Sequence, residues 1–127
     1  MPSKLAVIAI DAIRPRVVAD FWCAVLGWHI VEEDSGIISI APQDGTWPSI
    51  DVIAVPEGKT VKNRLHLDVR VAPGLEGDER MSALESEANR LQGLGATRAY
   101  RVEPDKATME SGFITMHDPE GNEFCLD

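Results

Sequence analysis

The sequence predicts an α+β fold in which a βαβββ unit occurs twice. An apolar run rich in Ile and Val precedes a helical stripe closed by glycine. Three short strand candidates follow that helix, and the same order of elements recurs in the second half of the chain. The repeat is one of architecture, with little identity between the halves residue by residue.

In the first half, residues 4–11 read KLAVIAID, a continuous apolar run suited to a buried strand. Pro15 sits where a helix favours its first residue. Val17, Val18, Phe21, Trp22, Val25 and Leu26 then recur at helical spacing on one face, and Gly27 stands where that helix should stop. Residues 28–32, 36–41 and 49–55 are strand candidates. Asp34-Ser35-Gly36 separates the first two, and Gln43-Asp44-Gly45 opens the loop before the third.

The second half opens at residues 64–71 (RLHLDVRV), which alternate apolar and polar as a strand with one buried face does. Residues 73–78 form a loop. Met81, Leu84, Ala88 and Leu91 make the second helical stripe, ending near Gly93 or Gly95, so that Leu94-Gly95 matches Leu26-Gly27. Strands are expected at 97–102, 112–116 and 123–126, the last two joined by a turn at Pro119-Glu120-Gly121-Asn122.

The chain of 127 residues has the size of one domain, with internal halves at about 1–57 and 62–127. Its 44% hydrophobic and 26% charged residues match an ordinary globular protein, and no apolar stretch is long enough for a membrane helix. The N-terminus lacks the pattern of a signal peptide, which points to a cytoplasmic location. Cys23 and Cys125 form no CxxC pair and read as free thiols. A net charge of −9 argues against nucleic acid as a partner and would attract a cationic ligand.

Residues 118–124 (DPEGNEF), residues 63–68 (NRLHLD), and Phe21-Trp22 with Leu26-Gly27 together resemble the glyoxalase/bleomycin-resistance/dioxygenase (vicinal oxygen chelate) superfamily, in its glyoxalase-like domain branch. The resemblance spans essentially the whole chain. It implies a pair of curved mixed-sheet half-barrels with the helices outside and a central cleft, often completed by a second subunit, hence a homodimer. Metal-dependent members place His or Glu ligands at four cleft positions, where a divalent ion chelates neighbouring oxygens of the substrate.

Carried over position by position, that ligand set is eroded here. The first-strand ligand position falls near Val7, an aliphatic residue, whereas the matching position of the second half is His66, a competent ligand. Cys125 stands where the family's closing Glu would be, and the last strand of the first half offers Asp51 or Ile53. The expectation is a cleft without metal. The alternative is a divalent ion held by His66 and Glu123 with Cys125 and Asp51, since Glu123 shares a strand face with Cys125.

Strand parity gives the expected lining: His66 with Arg64, Asp68 and Arg70, and Glu123 with Cys125, while Leu65, Leu67, Phe124 and Leu126 pack beneath the sheet. Asp11 and Asp51 are candidates from the first half. Such a cavity would be small, acidic and imidazole-bearing. Each residue also has a plainer role: His66 in a core network, Arg64 and Asp68 as an ion pair, and Asp118 as a turn former. Trp22 belongs to the helical core. His29 and His117, at strand ends, read as surface residues. Trp47 fits no periodicity and suits either a cleft cap or a subunit interface.

Two functions follow. One is a small-molecule binder with a metal-free cleft, as in bleomycin-resistance members, or a divergent enzyme using His66 as its catalytic group. The other is a metal-dependent lyase, isomerase or dioxygenase acting on a small oxygenated metabolite.

Overall fold

The computed structural model describes residues 1–127. The chain divides into two compact units, Met1–Gly58 and Lys59–Asp127. In the first, β1 (Ile8–Ala12) leads to α1 (Pro15–Leu26), followed by β2 (His29–Asp34), β3 (Ile37–Ala41) and β4 (Ile50–Ala54). In the second, β5 (Leu67–Val69) leads to α2 (Gly77–Gly93), then β6 (Thr97–Val102), β7 (Phe113–His117) and β8 (Glu123–Leu126).

Each unit carries one four-stranded mixed sheet, ordered β1-β4-β3-β2 in the first and β5-β8-β7-β6 in the second. The first and last strands of each unit pair in parallel, and the other pairs are antiparallel. Even the irregularities repeat. The second strand of each unit breaks register once against its neighbour, between Ile30 and Glu32 in β2 and between Arg98 and Tyr100 in β6. The architectural repeat read from the sequence is therefore real.

Helix α1 runs from Pro15 to a left-handed Gly27 cap (φ 68°), where a side chain would be strained. Val18, Ala19, Phe21, Trp22 and Val25 form its buried face, with Phe21 and Trp22 edge-to-face at 5.4 Å. Val17, expected on that face, is exposed because the stripe centres on Val18, Trp22 and Val25. Helix α2 buries Met81, Leu84, Ala88 and Leu91 as the stripe predicted, but it starts at Gly77, inside the segment expected to be loop.

Strands β1 and β5 are much shorter than expected, and β3 and β4 differ only at their ends. Strand β1 begins at Ile8, not Lys4, and Val7 lies just outside it. Its partner β4 begins at Ile50, and the chain preceding β4 includes Pro48, which has no N–H to continue a ladder. Strand β5 spans three residues instead of eight. Leu67 pairs with Phe124, so Leu65 and Arg64 would fall opposite Asn122 and Gly121, which belong to the turn before β8. Leu65 is consequently 72% exposed rather than packed beneath the sheet. Strand parity holds within β8: Phe124 and Leu126 are buried while Glu123 and Cys125 are half-buried.

Asp118 fixes the turn into β8. Only 2% exposed, its Oδ1 accepts the amide protons of Glu120 (2.9 Å) and Asn122 (3.0 Å), and its Oδ2 accepts from Asn122 Nδ2 (2.9 Å). A buried carboxylate satisfied this way is a turn-forming group.

Candidate functional site

The ladder β5-β8-β7 places Asp68, Cys125 and Thr115 side by side, Asp68 paired with Cys125 and Cys125 with Thr115. His66, two residues before Asp68, shares that face. Its Nδ1 lies 3.0 Å from Asp68 Oδ1, and Thr115 Oγ1 lies 3.4 Å from Cys125 Sγ. An ionised carboxylate only accepts hydrogen bonds, so Asp68 favours the tautomer with its proton on Nδ1, leaving the Nε2 lone pair for a ligand or proton. Burial pushes the Cys125 thiol above its usual range, and the carboxylates of Asp68 and Asp127 add to that against the Thr115 hydrogen bond. The thiol is therefore protonated at neutral pH.

His66, Asp68 and Cys125 line a concave pocket of about 460 Å³ within the second unit, a volume in the range of small-molecule sites. Arg70 and Asp127 stand farther along the same wall, joined by a 2.6 Å ion pair. The rest of the lining comes from Ala72–Leu75, from Arg80 of α2, and from Glu110–Phe113 at the entry to β7. Arg80 donates through Nη1 to the carbonyls of Ser111 and Gly112, both at 2.8 Å, tying that segment to the helix. The expected acidic cavity is thus mixed in charge: Asp68, Glu110 and Asp127 are accompanied by Arg70 and Arg80.

The other sequence candidates lie elsewhere. Arg64 is exposed on the segment before β5 and does not line the pocket; the partner of Asp68 is His66, not Arg64. Glu123 turns its carboxylate to Lys59 Nζ (2.8 Å) and to the amide of Asn63 (3.0 Å). Burial pushes the Glu123 carboxyl up, but the Lys59 and Asn63 hydrogen bonds outweigh it and hold the group at about 2. Glu123 therefore clamps the 59–63 segment to β8. In the first unit, Asp51 accepts from Ser39 Oγ (2.7 Å), and Trp47 is 58% exposed in the β3–β4 loop. Asp11 is exposed on β1. His29 and His117 are half-buried rather than superficial, and His29 Nδ1 has no hydrogen-bond partner.

Alternation places Arg70 on the face of His66 and Asp68, as expected, whereas its partner Asp127 lies one residue beyond β8 and was not among the candidates. Nor were Arg80, Glu110 and Gly112. Their approach to the pocket depends on how α2 and the chain ahead of β7 meet, which no local pattern encodes.

In number and closeness, the imidazole, carboxylate and thiol of His66, Asp68 and Cys125, all within 4.8 Å of one another, could hold a metal ion. The helices include none long and apolar enough to cross a membrane.

Comparisons with known proteins agree with this architecture. A glyoxalase/bleomycin resistance protein/dioxygenase family enzyme from Burkholderia phytofirmans PsJN superposes with a TM-score of 0.70 at 16% identity, covering 98% of this chain and 97% of its own. A glyoxalase-related enzyme from Fulvimarina pelagi gives 0.68 at 15% identity, over 98% and 87%. The fosfomycin resistance protein FosX from Listeria monocytogenes, solved with Mn(II) and a dihydroxypropylphosphonic acid, gives 0.72 at 12% identity, over 99% and 90%. No curated protein matches the chain by sequence. The family model for the glyoxalase-like domain matches residues 7–126, and the chain belongs to that family.

Proposed function

We propose that the chain binds a small oxygenated organic molecule in the pocket of its second unit, without a resident metal, and that His66 is the proton-transfer group of that site. The His66–Asp68 contact carries this reading: a carboxylate orients the imidazole on the wall of a pocket of ligand size. Asp68 would accept the Nδ1 proton, and Nε2 would take a proton from, or return it to, the bound molecule. Cys125 would contribute shape and a weak hydrogen bond.

The donor set fits a resident metal poorly. Asp68 is engaged with His66 Nδ1, which leaves His66 Nε2 as the one ready donor, and the thiol would have to lose a proton that burial and two carboxylates hold in place. The alternative of a metal-dependent lyase, isomerase or dioxygenase rests on the proximity of the same three groups. The mixed charge of the lining supports a cationic drug as ligand less than the total of −9 suggests.

The proposal includes a homodimer, favoured by the exposed side chains of Val61 and Leu65, and a cytoplasmic site of action, which suits two unpaired cysteines. Light scattering on the purified chain tests the first, and fractionation of the source cells the second.

The test of the ligand site is a fragment screen by heteronuclear NMR. Shifts on binding should centre on Asp68, Gly112 and Cys125, and His66→Ala should weaken binding about tenfold. Shifts confined to other surfaces, or unchanged affinity in the variant, would refute the reading.

A further inference from the structure

We infer that the pocket selects an anionic ligand, a small carboxylate or an acid of like geometry, through the guanidinium of Arg80; this rests on the proposed ligand site. Arg80 is half-buried on α2 and lines the pocket. Its Nη1 spends both protons on the carbonyls of Ser111 and Gly112, and that same nitrogen lies 3.7 Å from Met81 Sδ. A guanidinium has five N–H donors in a fixed plane. Those on Nε and Nη2, the edge that receives a carboxylate in a two-point fork, bond to no protein group.

The charges around it sharpen the point. Asp127 is paired with Arg70 and Asp68 with His66, while Glu110 accepts the Gly112 amide at 2.9 Å. None of these carboxylates forms an ion pair with Arg80, which leaves it the one arginine of the pocket without a carboxylate partner. Because two backbone carbonyls already fix the plane of the guanidinium, little ordering cost remains for an incoming anion. His66 would then act on a group of the ligand displaced from its acidic end.

The test uses matched pairs of aryl and alkyl carboxylates with their primary amides, followed by NMR titration of the whole chain. Acids should bind about tenfold or more tightly than their amides, with shifts at Ser111, Gly112 and Phe113. Arg80→Gln should abolish that preference, so that each acid binds no better than its amide. Arg80→Lys, which keeps the charge and loses the fork, should retain part of it. Amides that bind the wild-type chain as well as acids would overturn the anion selectivity and leave the ligand site standing, even if the variants fail to fold. Failure of every acid and amide to bind the pocket would overturn both.

Discussion

Replacing Glu123 by Gln removes the charge that fastens the 59–63 segment to β8 while keeping the size of the side chain. The carboxylate is 11% exposed and its Lys59 partner 20%, so the pair is poorly screened by solvent. Burial alone would raise its pKa, yet Lys59 and the Asn63 amide take it from the ordinary 4.5 to about 2. At full value that depression corresponds to about 3 kcal/mol; the solvent contact that remains reduces it to about 1–2 kcal/mol. A group with a depressed folded-state pKa stabilises fully above its unfolded value and loses that contribution as pH falls through the folded one. Glu123→Gln should therefore cost about 1–2 kcal/mol in urea denaturation at pH 7, and the gap to wild type should shrink to about half or less by pH 3. Amide exchange at Asn63 should quicken in the variant. An equal gap at both pH values, or none at pH 7, would refute the clamp.

Asp118→Ala leaves the amides of Glu120 and Asn122 without their acceptor and should cost about 2–4 kcal/mol by chemical denaturation. Gly112→Ala adds a Cβ at 2.8 Å from Met81 Sδ and 3.0 Å from the Val102 carbonyl, at φ +87°; a loss of about 2 kcal/mol or more and altered shifts around the pocket are expected. Phe124→Ala opens a cavity at a fully buried β8 position and should cost about 3–5 kcal/mol, read as a lowered denaturation midpoint.

Much of the fold is legible in periodicity and punctuation. Pro15 and Gly27 bracket α1, and the alternation of β8 sorts Phe124 and Leu126 from Glu123 and Cys125. Elsewhere pairing partners override the local pattern. Arg64 and Leu65 alternate like a strand, but the register of Leu67 with Phe124 leaves them opposite a turn. Val17 satisfies the helical stripe yet faces solvent, because a stripe of six apolar residues is wider than the contact α1 makes. At the site, the proximity of His66, Asp68 and Cys125 follows from two strand periods and one parallel pairing, so sequence reasoning reached it. Parity places the Cβ of Glu123 beside that of Cys125, but its carboxylate goes to Lys59, 64 residues away along the chain, a tertiary contact that no local pattern encodes. Arg80 carried no local signal, being one more charged residue beside the apolar stripe of α2.

The proposed ligand pocket works through a carboxylate-oriented histidine with no resident metal. Elemental analysis of the chain, purified without chelators and without an affinity metal, tests it most directly. Transition-metal content should lie far below one ion per chain. A stoichiometric ion that is lost on His66→Ala would contradict it and assign the His66, Asp68 and Cys125 cluster to metal binding.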